Sequence, residues 1–272
     1  MFFKVNDQET YCYTGGKAFD AAKPTVVFIH GVLNDHSVWI LQTRYLANHG
    51  YNVLAPDLPG HGRSAGEPPA SVEEGAAFAI ALLDAAGVKS AALVGHSFGS
   101  LIALEAAGRS PGRVSHLALV GTASPMKVSP ALLDASLNQP MKAIDMVNMF
   151  SHSMLAPPPS ALGPGTWLYG GSRALMKRVL ASNTRVNVFH TGFKACDDYA
   201  GAEAAMAKVR CPVLFILGED DQMTLPRMAQ PLIAQCPGAK VVKLKSGHQL
   251  MLEAPDGVLF ALRDFLLAKG KP

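Results

Sequence analysis

The sequence predicts an α/β fold, with a mostly parallel central sheet flanked by helices and a helical insert late in the chain. Six apolar runs of strand length, rich in Val, Ile and Leu, are typical of strands buried on both faces. Segments with helical spacing alternate with these runs, and a βαβ alternation favours a parallel sheet. One long stretch, about 122–209, contains no strong strand run and is far longer than one crossover needs.

The individual elements follow from local patterns. Two short alternating stretches, 1–5 and 10–14, predict an opening hairpin. The apolar runs predict six further strands, TVVFIHG (25–31), NVLAPD (52–57), AALVG (91–95), LALVG (117–121), VLFILG (213–218) and KVVKL (240–244). Helical spacing predicts helices over 35–48, 71–86, 97–108, 225–235 and 255–269.

The insert is expected to form several helices that lie over the end of the sheet as a cap. This division makes 122–209 the cap and leaves 1–121 and 210–272 as the core domain. The insert is rich in Met, Ala, Ser and Pro and is interrupted by APPPSALGPG (156–165). Its apolar side chains suggest an adaptable pocket wall, although packing of the cap explains them equally well: Met126, Met141, Met146, Met149, Phe150, Met154, Trp167, Leu168 and Met176.

Composition and charge exclude several classes of function. With 49% hydrophobic and 17% charged residues the chain is globular, and its scattered basic residues and net charge of +3 give no support for binding nucleic acid. Neither a secretory signal nor a membrane-spanning run is visible, so we expect a cytoplasmic protein without a membrane partner. The four cysteines lie far apart, which predicts free thiols and no metal site.

The stretch LVGHSFG (93–99) carries the strongest functional signal. Its serine, Ser97, lies between Gly95 and Gly99, directly after a predicted strand and at the start of a predicted helix. So sharp a turn crowds the backbone, and glycine at both flanking positions avoids the collision. The turn then projects one hydroxyl from the sheet edge at a helix N-terminus, which is the arrangement of a serine nucleophile. The alternative is a serine that only caps the helix.

A serine nucleophile needs a base, and the base needs an orienting acid. Both follow later strands, in EDDQMTLP (219–226) and SGHQLMLEAPD (246–256), where they would meet Ser97 at the same edge of the sheet. His248 is the candidate base. Asp221 is favoured as the acid over Asp220, with Glu219 the weakest candidate.

Stabilising the negative charge that develops on a substrate carbonyl requires two N–H donors. The backbone N–H of Phe98, directly after the nucleophile, is one candidate. The other is the backbone N–H of Val32 in the loop HGVLND, where Gly31 would allow a close approach. Within that loop, His30 is expected to brace the backbone.

Together these motifs resemble the α/β-hydrolase fold superfamily, in its serine-nucleophile branch with a helical cap. The matching pieces run in order from residue 30 to residue 256: HGVLNDHSVW, APDLPGHGRS, LVGHSFGSLIALEAA, LGEDDQMTLP and SGHQLMLEAPD. The spacing G-x-x-D from Gly218 selects Asp221, although Leu225 stands where the family often has proline.

The resemblance implies an esterase-like enzyme that needs no metal or organic cofactor. A serine at position 97 excludes the aspartate-nucleophile members, which are dehalogenases and epoxide hydrolases. We expect a small-molecule substrate, a small to medium and mostly apolar carboxylic ester, and a monomer or small homo-oligomer. Two alternatives stay open: a carbon–carbon bond hydrolase or thioesterase on the same triad, and a non-catalytic ligand-binding protein of the same fold.

Overall fold

The fold is built on a single eight-stranded sheet. The computed structural model describes residues 1–20, 22–153 and 167–267. Its strands are β1 (Phe2–Val5), β2 (Gln8–Tyr13), β3 (Thr25–Ile29), β4 (Asn52–Pro56), β5 (Ala91–His96), β6 (Val114–Val120), β7 (Val213–Gly218) and β8 (Lys240–Leu244). They lie in the order β1-β2-β4-β3-β5-β6-β7-β8.

The sheet is parallel except at its first edge. β1 and β2 form the predicted hairpin, and β2 pairs antiparallel with β4. The remaining six strands run parallel, so their carboxyl ends meet at one edge. β6 begins three residues before the predicted run because Val114 already pairs with Ala91 of β5. The predicted α/β architecture is therefore confirmed.

Helices cover both faces of the sheet. They are α1 (Ile40–Asn48), α2 (Val72–Ala85), α3 (Phe98–Arg109), α4 (Pro130–Asn138), α5 (Pro140–Ser151), α6 (Leu168–Ser182), α7 (Val188–Asp198), α8 (Ala202–Met206), α9 (Gln230–Ala234), α10 (Leu250–Glu253) and α11 (Pro255–Leu266). The helix predicted over 225–235 is instead a 3₁₀ turn, Pro226–Ala229, followed by α9. Pro231, in the middle of the predicted helix, cannot donate the backbone hydrogen bond that one continuous helix would need there. Within the described residues, every helix is too short or too polar to span a membrane.

Alternate residues of the strands enter two separate cores. Val27, Ile29 and Leu93 face the core shared with α2 and α3. Val26 and Phe28 face the opposite core, which α1 and α11 close. Burial on both faces explains why these strands read as continuous apolar runs with no polar side.

The inserted helices, which we define as α4–α7, lie between β6 and β7 in the chain. They share a third apolar cluster that also includes Leu33 from the loop after β3. Polar contacts add to this packing, since Arg178 of α6 pairs with Asp35 at 2.7 Å and the Ser182 hydroxyl accepts a hydrogen bond from the Gly62 N–H. The domain division at 121/122 and 209/210 stays a prediction.

Candidate active site

Ser97 is the single residue between β5, which ends at His96, and α3, which begins at Phe98. Its backbone has φ 54° and ψ −121°, a strained conformation that residues other than glycine rarely adopt. A Cβ on Gly95 would lie 2.0 Å from the carbonyl oxygen of Gly99, and one on Gly99 would lie 2.3 Å from a carbonyl oxygen of β3. Backbone therefore fills the space where side chains at both positions would go.

The structure joins His248 and Asp221 across two loops that follow neighbouring strands. The Nδ1 atom of His248 lies 2.8 Å from Oδ2 of Asp221, with both side chains buried. Since the carboxylate can only accept, Nδ1 carries the proton and Nε2 keeps its lone pair. Ser97 lines the same cavity as His248, and within the described residues the two side chains are not hydrogen bonded.

Donors surround the Asp221 carboxylate. Its oxygens accept hydrogen bonds from the backbone N–H groups of Met223 and Thr224 and from the Thr224 hydroxyl, each at 2.8 Å. Burial alone would raise the pKa of this carboxyl, but His248 and the Thr224 donors outweigh burial and hold the pKa below its usual value. Asp221 is therefore a stable anion at neutral pH.

The competing carboxylate points elsewhere. Asp220 forms an ion pair of 3.0 Å with Lys245, and its side chain is 37% exposed against 1% for Asp221. Of the two candidates, only Asp221 faces His248.

The loop after β3 approaches Ser97 closely. A Cβ on Gly31 would lie 3.1 Å from the Cβ of Ser97, so the adjacent Val32 backbone is near the nucleophile. Leu33 has φ 56°, a second strained residue in this region. Within the described residues the N–H groups of Val32 and Phe98 donate no hydrogen bond to the protein. Both are therefore available to an oxyanion.

A cavity of about 280 Å³ opens beside Ser97 and His248. Most of its wall is apolar and comes from the loop after β6 and from α4, α5 and α7: Met126, Val128, Leu132, Met146, Phe150 and Phe193. Cys196 also lines the cavity, and burial raises the pKa of its thiol, which keeps the thiol protonated.

The apolar residues expected in the pocket fall into distinct groups. Three line this cavity: Met126, Met146 and Phe150. Two are buried within the insert: Leu168 and Met176. Three are exposed: Met141, Met149 and Trp167. Met154 and the stretch 156–165 lie outside the described residues. Both explanations of these side chains, pocket wall and packing, therefore apply to part of the set.

Two supporting residues, Thr224 and His96, lie within the quoted motifs but are not among the predicted site residues. Thr224 donates to Asp221 and also lies 3.1 Å from Nδ1 of His248. The pattern D-x-x-T, in which an aspartate caps the N–H groups two and three residues later, is the signal that could have found it. His96, the residue before Ser97, donates from Nε2 to the backbone oxygen of His248 at 2.9 Å. It thereby supports the histidine loop.

Two further histidines brace the loops beneath the site. His30 donates from Nδ1 to the carbonyl oxygen of Gly31 at 2.8 Å and accepts from the N–H of Leu58 at 3.0 Å, as expected for a bracing role. Burial lowers the pKa of His30, and it lowers that of His61 to about 4. Both rings are therefore neutral structural elements at physiological pH.

The structure brings together one group of potential metal ligands, although the sequence predicted no metal site. Oxygen and nitrogen atoms of Asp35, His36 and Asp57 lie within 4.8 Å of one another. Protein groups already bind them, because His36 donates to Asp57 at 2.6 Å and Arg178 pairs with Asp35. We assign the cluster to the packing of the loop after β3.

Comparison with known proteins decides the family. The profile of the α/β-hydrolase fold matches residues 24–255, which is most of the chain. The chain belongs to the α/β-hydrolase fold family. The predicted fold and resemblance are thereby confirmed.

Individual α/β-hydrolase relatives match over nearly the whole chain. Protein ABHD8 of Bos taurus is 28% identical over 257 residues, which cover 92% of this chain and 58% of that protein. This chain thus spans little more than half of that relative. Among solved structures, a thermophilic esterase has a TM-score of 0.80 and 25% identity, covering 99% of this chain and 98% of its own. The enol-lactonase from Burkholderia xenovorans LB400 has a TM-score of 0.82 at 22% identity, covering 98% and 100%, and shows a shared fold.

Proposed function

We propose that this α/β-hydrolase is a serine hydrolase that cleaves small to medium, mostly apolar carboxylic esters. The observation that carries the proposal is the buried Asp221–His248 hydrogen bond beside the strained Ser97, in one cavity. This is the acid–base–nucleophile arrangement of acyl transfer. The similarity to the structure of a thermophilic esterase, at 25% identity, adds support.

The first half of the reaction forms an acyl-enzyme. Ser97 Oγ bonds to the ester carbonyl carbon while its proton passes to Nε2 of His248, and Asp221 stabilises the imidazolium. The N–H groups of Val32 and Phe98 stabilise the oxyanion. The bond to the alkoxide then breaks, and His248 returns the proton so that the alcohol leaves.

The second half releases the acid. A water molecule gives a proton to His248 and its oxygen bonds to the acyl carbon. The bond to Ser97 then breaks, Ser97 regains its proton from His248, and the carboxylic acid is released. The sum is ester plus water giving alcohol plus acid, with no group consumed on the protein.

The substrate class follows from the cavity wall. A space of about 280 Å³ lined by Met126, Leu132, Met146, Phe150 and Phe193 accommodates a short apolar acyl chain. Two methionines make the wall adaptable, so we expect a range of chain lengths with one optimum.

Hydrolysis of p-nitrophenyl esters of increasing acyl length tests the proposal. The native protein should turn over, and Ser97→Ala should lose at least about 10³-fold in kcat, because the nucleophile is removed. Ser115→Ala, a change at an exposed serine of β6, is the matched control and should keep native rates.

Two results would contradict the proposal. Undiminished turnover in Ser97→Ala would remove the serine mechanism. If the protein leaves esters intact but hydrolyses thioesters or β-diketones, the proposed triad stands and the proposed substrate class is wrong.

A further inference from the structure

A second, much smaller cavity lies beside the nucleophile. Its volume is about 20 Å³, and Ser97, Phe193, Met223 and His248 line both this space and the large cavity. The two spaces therefore meet at Ser97 and His248. A substrate held at the nucleophile can extend into both.

Three polar side chains on this small cavity have atoms without a hydrogen-bond partner. They are Nδ1 of His96, the hydroxyl of Ser151 and the side-chain oxygen of Gln249, and within the described residues no protein group bonds to them. Their residues are 1%, 0% and 3% exposed. A buried polar atom without a partner lowers stability, so three such side chains around one space indicate a site for a polar group.

The atoms define what that group must be. Because His96 donates from Nε2 to the backbone of His248, its Nδ1 is an acceptor. The Gln249 oxygen is a second acceptor, and the Ser151 hydroxyl either donates or accepts. Asn34 lines the same space with a side-chain amide that either donates or accepts. The site therefore favours a neutral group that both donates and accepts a hydrogen bond.

Size restricts the choice further. A cavity needs about 10–15 Å³ to hold one water molecule, so this cavity holds a single water-sized group. A hydroxyl fits that limit, because it donates one hydrogen bond, to the Gln249 oxygen or to Nδ1 of His96, and accepts one from the Ser151 hydroxyl. A methyl group has nearly the same size, but it would leave all three polar atoms unpaired.

The walls that present these atoms are fixed by the fold. Ser151 ends α5, and its backbone oxygen accepts the N–H of Gln249 at 3.0 Å. Glu253 of α10 accepts hydrogen bonds from the N–H of Gly247 and from the N–H of Ser153. These bonds tie the end of α5 to the loop that carries His248, so Ser151 and Gln249 keep their place beside the nucleophile.

We infer that this cavity is a subsite for a hydroxyl group on the acyl chain, so that the preferred substrates are hydroxyacyl esters with an apolar remainder in the large cavity. The inference rests on the proposed function. It adds Ser151 and Gln249 as specificity-determining residues, with His96 as a third partner. The hydroxyl belongs on the carbon next to the carbonyl or on the following one, because the cavity borders Ser97 itself.

Matched pairs of substrates test the inference. Kcat/KM is measured for the p-nitrophenyl esters of 2-hydroxybutyrate and 2-methylbutyrate, and of 3-hydroxybutyrate and 3-methylbutyrate. Dividing by the alkaline hydrolysis rate of each ester removes intrinsic reactivity. The native protein should favour the hydroxyl member of one pair by about tenfold or more, because its methyl partner leaves buried polar atoms unpaired.

Variants then locate the preference. Ser151→Ala and Gln249→Leu should each reduce the hydroxyl-to-methyl ratio by about fivefold to tenfold, since each removes one hydrogen bond. Ser151→Ala deletes an unpaired hydroxyl, so its melting temperature should not fall. Met146→Ala changes the large cavity and is the control, with altered rates on both esters and an unchanged ratio.

The outcomes separate the two proposals. Turnover of all four esters with no preference for hydroxyl, or a preference that both Ser151→Ala and Gln249→Leu leave intact, overturns the subsite and leaves the serine esterase standing. The cavity then holds water only. Failure to hydrolyse any of the esters overturns the esterase proposal together with the subsite.

Discussion

At the scale of single residues, the site depends on which atoms carry protons. Asp221 is fixed by four hydrogen bonds and holds the proton of His248 on Nδ1, which leaves Nε2 free to accept. Neighbouring Asp220 points to Lys245 instead. Adjacent residues thus have unrelated roles because their side chains leave the backbone in different directions.

The different partners of Asp221 and Asp220 predict that the same change, aspartate to asparagine, has different effects at the two positions. Asp221→Asn should lower kcat by on the order of 10³–10⁴, because an amide facing Nδ1 stabilises the tautomer whose Nε2 cannot accept the serine proton. Asp220→Asn, the matched control, should stay within about twofold of native, since an exposed ion pair contributes little.

Steady-state kinetics on one ester measures both variants, with circular dichroism to verify folding. A larger loss in Asp220→Asn than in Asp221→Asn would reverse the assignment of the acid.

At the scale of elements, the junction of β5 and α3 is the most constrained part of the chain. A Cβ at Gly95 would overlap the backbone of α3, and one at Gly99 would overlap the backbone of β3. Neither neighbour can move without displacing a central strand or the helix behind the nucleophile. The close packing of β3, β5 and α3 that positions the Ser97 hydroxyl therefore allows only glycine at positions 95 and 99.

The Gly95→Ala change should lower the free energy of unfolding by at least about 3 kcal/mol, because the new methyl carbon would lie 2.0 Å from a backbone oxygen. Gly171→Ala, inside the exposed part of α6 where a Cβ meets nothing within 4 Å, is the matched control. It should stabilise the protein by up to ~1 kcal/mol through helix propensity.

Urea unfolding of the three proteins gives these values. Equal stability of native protein and Gly95→Ala would show that the tight turn is not required.

At the scale of the whole molecule, three buried histidines link stability to pH. His96, His30 and His61 lie under the carboxyl edge of the sheet and hold the loops there. Burial lowers the pKa of His96 to about 3 and that of His61 to about 4, and it lowers that of His30 as well. In the unfolded chain each has a pKa near ~6.5.

Below pH ~6.5 the unfolded state therefore binds protons that the folded state does not, and stability falls as the pH falls. The slope is about 1.4 kcal/mol per pH unit for each histidine, down to its folded pKa. For His96 and His61 we expect the free energy of unfolding to drop by ~2 kcal/mol each between pH 6.5 and 5. His30 contributes a drop in the same direction.

Urea titrations at several pH values test this linkage. His61→Gln should make the free energy of unfolding depend less steeply on pH, by the contribution of one histidine. His49→Gln, at an exposed histidine, should leave this slope unchanged. A native stability that is constant between pH 7 and 5 would contradict the neutral, buried state of these rings.

The architecture and the tight turn at Ser97 could be predicted because both are encoded by neighbouring residues. Strands that are buried on both faces appear in the sequence as continuous apolar runs. Gly95 and Gly99 are needed because side chains there would collide with the backbone of the turn around Ser97. The predicted helix over 225–235 was wrong as one continuous helix because Pro231 lacks the N–H group that its middle requires. Local patterning thus predicted the elements better than their exact extent.

The sequence by itself determined the parallel sheet, the tight turn at Ser97 and the chain order of the proposed triad, Ser97, Asp221 and His248. Only the tertiary structure decided that Asp221 faces His248, that Thr224 supports them, and that His96, Ser151 and Gln249 surround one small cavity. The physical reason is distance along the chain. Periodicity and turn sterics act between neighbours, whereas the direction of a side chain and the space left between β5, α5 and the loop before α10 depend on how distant elements pack.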